Sequence, residues 1–166
     1  MTTSGVGATA SPPVHPLIAQ LFARHGCTEI TADNIDAFVA GPGHAMLLFT
    51  EDPLRVRETL DIAVIVPELM RAFPGRFRVG ALLPEAARQL QARYGFRRWP
   101  ALVVLSDGEH VGAVDGLRNW DEYLNEVARL LVAAPKRPPT IGIPVKTAGA
   151  DARGCGSETP RNQDCP

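Results

Sequence analysis

The feature that most limits how this chain can fold is Trp99-Pro100 followed by Ala101-Leu102-Val103-Val104-Leu105, Ser106, the pair Asp107-Gly108, and Glu109 to Gly116. Ala101 to Leu105 is an unbroken aliphatic run, the pattern of a strand covered on both faces. Asp107-Gly108 then demands a tight reversal, because a two-residue hairpin turn needs positive φ and glycine adopts it without a Cβ clash. The second strand must return along the first. Pro100, at the strand entrance, lacks a backbone donor and sits in the one common kind of bond where cis and trans compete, so either isomer suits the residues. A helix follows, with Asn119 as its cap and Trp120, Tyr123, Leu124, Val127, Leu130 and Leu131 recurring at steps of three and four.

Upstream, apolar runs alternate with helical patterns. Pro16 opens a short helix through Leu17, Ile18, Leu21 and Phe22 that stops at Gly26. Cys27 to Ile30 is a short strand, and Thr31 or Asp33 caps a helix carrying Ile35, Phe38 and Val39, which ends at Gly41-Pro42-Gly43. Ala45 to Phe49 is a central strand. From Arg55 to Phe73 the core candidates are Leu60, Val64, Leu69, Met70 and Phe73, with Pro67 predicting a kink, or a loop up to that point. A third strand holds Phe77, Val79 and Ala81 on one side, and Pro84-Glu85 starts a helix through Ala87, Leu90 and Tyr94 that closes at Gly95. The predicted order is α-β-α-β-α-β-α-β-β-α, a mixed sheet between helices in one domain over residues 16–133. Residues 1–15 and 134–166, rich in small residues, Pro and Gly, are expected to be flexible.

Composition excludes some function classes. The formal net charge of −1 gives no electrostatic reason to propose nucleic acid as a partner, which normally wants a basic face. No apolar run approaches membrane-spanning length, and the N-terminus lacks the basic and apolar regions of a secretory signal, so a cytoplasmic location is expected without membrane insertion. The cysteines, Cys27, Cys155 and Cys165, form no CxxC and no zinc pattern. Cys27 reads as a half-buried structural thiol. His15, His25, His44 and His110 lie at predicted loops or helix ends without ligand spacing, and His110 is expected to be solvated; no metal and no cofactor is expected.

The order proline, strand, turn, strand, helix resembles the C-terminal half of the thioredoxin fold. That resemblance implies that Pro100 is a cis-proline facing the position where the family keeps its nucleophilic cysteine, after the strand Met46–Phe49 and at a helix start. Here the place reads Glu51-Asp52-Pro53-Leu54-Arg55-Val56-Arg57-Glu58, and the segment as far as Ile62 contains no sulfur. Dithiol exchange at that place is excluded, and no catalytic residue is assigned. Glu51, Asp52, Glu58 and Asp61 are instead either an ordinary solvated loop or an acidic rim able to meet a basic peptide. Trp99 is either core or a platform beside a groove for an extended chain, which thioredoxin-like proteins accept along the residue before the cis-proline.

A closer resemblance rests on Leu47-Leu48-Phe49-Thr50-Glu51-Asp52-Pro53, on Pro67-Glu68-Leu69 with Ala72-Phe73-Pro74, on Tyr94 to Val103, and on Gly116-Leu117-Arg118-Asn119-Trp120. In order, and without CxxC, these resemble the hydrogenase expression/formation proteins of the HyaE/HupG type over roughly Leu17 to Leu131. The resemblance implies a redox-inactive assembly chaperone for a nickel–iron hydrogenase. Its partner would be the small-subunit precursor with its twin-arginine signal peptide, held back from export during maturation, and other hydrogenase maturation proteins are further candidate partners. The peptide-binding residues expected on this reading are Glu51, Asp52, Glu58, Asp61, Trp99 and Pro100. Two other classes compete with it: a thiol-dependent oxidoreductase using Cys27 or the tail cysteines, and an adaptor for another assembly.

Overall fold

Six consecutive residues, His44–Phe49, form the central strand β2, and five of them are fully buried. In the computed structural model, which describes residues 13–138, this strand is the axis of everything else. The expectations for residues 1–12 and 139–166 lie outside the described residues. Before β2 come α1 (Pro16–Ala23), β1 (Thr28–Ile30) and α2 (Ile35–Val39); after it come α3 (Glu58–Ala72), β3 (Arg78–Leu82), α4 (Pro84–Tyr94), β4 (Ala101–Ser106), β5 (Glu109–Asp115) and α5 (Trp120–Leu130). The sheet order is β1-β3-β2-β4-β5. β1 and β2 run parallel to β3, whereas β4 is antiparallel to β2 and to β5.

Strand alternation divides the core in two. Met46 and Leu48 of β2, Val79 and Ala81 of β3, and Leu102 and Val104 of β4 point to one face, where Ile18, Ile62, Val66 and Tyr123 of α1, α3 and α5 cover them. Ala45, Leu47, Phe49, Ala101, Val103 and Leu105 point to the other, beneath α2, α4 and Phe96. Gly80 permits this closeness on β3, because a Cβ there would lie 2.5 Å from the Ile30 side chain and 3.0 Å from the Phe38 ring.

Local signals explain the boundaries. Asp107 (φ 48°) and Gly108 (φ 84°) make the reversal between β4 and β5. The Asp107 carboxylate accepts the Gly43 N–H at 2.8 Å and the Asp107 N–H donates to the Gly43 carbonyl at 3.0 Å, latching the hairpin to the loop before β2. Gly95, left-handed at φ 67°, ends α4 with its N–H on the Gln91 carbonyl. The Glu122 carboxylate accepts the Asn119 N–H at 2.9 Å and secures the start of α5.

Four expectations need correction. α3 is continuous through Pro67, so no loop extends to that residue; Pro67 is buried within the helix beside Val66 and Leu69. That uninterrupted helix buries Ile62, Ala63 and Val66 on its inner face and turns Val64 outward at 53% exposure. Asn34, rather than Thr31 or Asp33, precedes α2, and its side chain accepts from the Thr31 N–H and donates to the Glu29 carbonyl. Trp120 at the first position of α5 is exposed, while Tyr123, Val127 and Leu130 carry the buried face.

Candidate functional site

The site takes shape where β2 runs out. Phe49 stands opposite Ala101 in the antiparallel ladder, so the next residues, Thr50 and Pro100, fall side by side at the sheet's end. The Trp99–Pro100 peptide is cis, and the Pro100 carbonyl accepts the Gly116 N–H at 2.8 Å, drawing the end of β5 to the same place. Buried Thr50 turns back onto β3: its N–H and its hydroxyl both donate to the Leu82 carbonyl, at 3.2 and 2.6 Å.

Glu51 does not face solvent. It is 7% exposed, and the Arg88 guanidinium of α4 grips both carboxylate oxygens, with Nε 2.9 Å from Oε2 and Nη2 on Oε1. The Asp52 N–H adds a third donor to Oε1 at 2.8 Å, and the Glu51 N–H donates to the buried Thr59 hydroxyl of α3 at 3.4 Å. A bidentate pair of this kind fixes orientation as well as charge. Arg88 holds the Glu51 carboxyl below the usual carboxylate range, against the upward pull of burial. Glu51 is therefore a neutralised anchor joining β2, α3 and α4. Arg88 escapes sequence reasoning because it lies 37 residues away on another helix.

The other expected residues are closer to the surface. The Asp52 carboxylate accepts the Leu54 N–H at 2.9 Å, and its carbonyl takes the N–H groups of Arg55 and Val56, a tight turn that leaves Leu54 93% exposed. Glu58 and Asp61 are exposed in the first turn of α3, where negative charge also suits the helix dipole. Trp99 is half-buried and meets Phe96 edge-on at 5.0 Å; Phe96 lies 4.8 Å from Phe49, and Phe49 5.5 Å from Tyr94. An aromatic chain thus runs from the surface to the last residue of β2. The structure brings Asp52, Trp99 and Pro100 to one end of the sheet, sets Glu58 and Asp61 on the adjoining helix start, and places Glu51 beneath them. Exposed Arg97 and Arg98 precede Trp99, so basic groups are interleaved with the acidic ones.

The described thiol lies elsewhere. Cys27 precedes β1, level in register with Val79 and Met46 and three strand spacings from the strand that Pro100 opens, on the order of 14 Å. It is free and buried, and burial pushes its thiol up to about 11, the reverse of an activated nucleophile. His110 is buried rather than solvated: its Nδ1 lies 3.2 Å from the Lys136 carbonyl, and burial lowers its pKa. Among the described residues, no group of three or more His, Cys, Asp or Glu is arranged to hold a metal, and no helix is long and apolar enough to cross a membrane.

The strand order, the cis-proline beside the end of the central strand and the helix that follows define a thioredoxin-like domain, in which the segment from the end of β2 to the start of α3 holds no sulfur and is anchored by the Glu51–Arg88 pair. The chain belongs to the family described as Hydrogenase-1 expression protein HyaE, which matches residues 17–123. It is 42% identical over 139 residues to the hydrogenase expression/formation protein HoxO of Cupriavidus necator H16, covering 82% of this chain and 86% of that one. It is 35% identical over 138 residues to the hydrogenase expression/formation protein HupG of Rhizobium leguminosarum bv. viciae, covering 80% and 88%. A crystal structure assigned to hydrogenase expression/formation protein hupG of Rhodopseudomonas palustris CGA009 matches at 33% identity and a TM-score of 0.46, over 63% of this chain and 94% of that one.

Proposed function

We infer that this protein is a redox-inactive assembly chaperone in hydrogenase maturation, binding the small-subunit precursor through its twin-arginine signal peptide in the cytoplasm before export. The observation that carries this reading is the segment between β2 and the first turns of α3: it holds no sulfur, and the buried, charge-balanced Glu51–Arg88 pair braces it. A position rebuilt for rigidity suits holding a partner rather than exchanging electrons with it. Membership of the HyaE family and the hydrogenase expression/formation names of its relatives support the process in which that partner is found.

On this reading the signal peptide lies across Trp99 and Pro100, its basic residues meeting Asp52, Glu58 and Asp61. Glu51 holds the loop that presents them. Such an arrangement combines backbone strand addition with charge complementarity, the first giving affinity and the second register. The burial of Cys27 and its raised pKa weigh against the competing thiol-enzyme reading at that residue.

Titration calorimetry of the purified protein with a synthetic twin-arginine signal peptide tests the reading. Asp52→Lys combined with Glu58→Lys is expected to weaken binding at least about tenfold, roughly 1.4 kcal/mol. Undiminished binding would remove the acidic groups from the site, and insulin reduction above background would overturn the chaperone reading.

A further inference from the structure

Leu117 and Trp120 stand outside the core, yet the turn that carries them is held firmly. Leu117 follows Gly116, whose N–H donates to the Pro100 carbonyl at 2.8 Å and whose carbonyl accepts from the Tyr123 hydroxyl at 3.3 Å. Asp115, just before it, takes the Arg97 N–H on one carboxylate oxygen at 3.2 Å and has the Arg118 guanidinium 3.7 Å from the other. The turn between β5 and α5 is thus tied to the segment around Pro100 on one side and to the buried face of α5 on the other. Its two large apolar side chains are nonetheless 43% and 42% exposed.

Single exposed apolar residues need no explanation, but these are not scattered. Of the six large apolar side chains exposed among the described residues, three belong to the two turns that flank Pro100: Leu54 after β2, and Leu117 and Trp120 after β5. Half-buried Trp99 precedes Pro100 between those turns.

The charges around this patch are sorted by sign. On one side α3 packs against α5, with Glu58 and Asp61 exposed in its first turn and the Asp61 charge close enough to act on Tyr123. On the other side stand Arg97, Arg98 and Arg118. The stem of Arg98 lies over Gly116, so that a Cβ there would meet its Cδ at 3.4 Å. A chain lying across the patch is therefore drawn toward α3 by its positive end and repelled there by its negative one. The matching ligand carries positive charge at one end and an apolar run beside it.

We propose that the apolar stretch following the arginine pair of a signal peptide docks on Leu117 and Trp120, with its basic end turned toward Glu58 and Asp61. This rests on the twin-arginine reading above and adds to it a direction and a second determinant. Export signals place a basic segment ahead of an apolar run of about 7–15 residues, and the site has a place for each.

Calorimetry with two synthetic peptides tests this: a whole twin-arginine signal peptide, and a short one ending just after the arginine pair. The native protein is expected to bind the whole peptide at least about tenfold more tightly than the short one. Leu117→Ser combined with Trp120→Ser should bind the two peptides alike, with an unchanged thermal unfolding midpoint as the control for folding. In Trp99→Phe, where Trp120 is the only tryptophan, emission should shift to the blue with the whole peptide and stay in place with the short one. A preference that survives in the double variant, or a Trp120 emission indifferent to the whole peptide, would overturn the proposal and leave the twin-arginine reading standing. Binding of neither peptide to the native protein would overturn both. A doubled mass in light scattering that reverts to a single one in the double variant would make a second copy the occupant, and would overturn the proposal as well.

Discussion

Cys27 and Glu51 are both buried acids, and their surroundings act on them in opposite ways. Cys27 at the head of β1 has only apolar surroundings to shape it, so burial raises its pKa and keeps it neutral. Glu51 at the end of β2 is equally enclosed, but three donors converge on its carboxylate and push its pKa down. Burial by itself silences an acid; burial with a fixed cation turns it into a structural charge. The thiol is packing material, and the carboxylate organises the surface above it.

The largest effect should come from undermining the Glu51 side alone. Phe49→Ala removes the ring that joins the end of β2 to Phe96 and Tyr94, and should cost about 3–5 kcal/mol in urea unfolding. Its tryptophan emission should shift as Trp99 loses its support. A loss below 1 kcal/mol would mean that the aromatic chain does not hold that end together.

Cys27→Ala should be milder, about 1 kcal/mol, since a small apolar side chain is replaced by a smaller one. In a Cys155→Ser, Cys165→Ser background, Cys27 should react with a thiol reagent at least about a hundredfold more slowly in the folded protein than in denaturant. Fast modification of the folded protein would erase the contrast with Glu51.

The subtlest test uses pH. Because the folded-state pKa of Glu51 lies below its unfolded value, the stabilisation is complete above the ordinary carboxylate range and is lost as pH falls through the folded value. Stability of the native protein should therefore drop on acidification, and Arg88→Met should flatten that slope by up to about one bound proton. Identical acid slopes in the two proteins would place the lowered pKa somewhere other than the Arg88 pair.

Much of the fold could be read directly from the chain, because its signals are local. The aliphatic runs at Ala45–Phe49 and Ala101–Leu105, the Asp107-Gly108 reversal and the Pro84 and Gly95 helix limits are each set by neighbours in sequence. Pro67 misled for the same reason: its local preference opposes a helix, but Ile62, Val66 and Leu69 bury on one face and override it. The site was legible only as an absence of sulfur and a set of acids. Glu51 turns inward onto Arg88, and buried His110 meets Lys136, partners 37 and 26 residues distant. Long-range ion pairs and edge contacts leave no periodic trace.

The double bond pattern between Asp107 and Gly43 has a mechanical consequence. It clamps β2 and β4 together at the end of the sheet remote from Trp99. Any breathing of those two strands must pivot on that clamp and widen toward the opposite end, as the jaws of a clothes peg open away from its spring. A partner wedged beside Trp99 would feel the stiffness of the whole pair, and the grip would be set as much by the hairpin turn as by the residues that touch the guest.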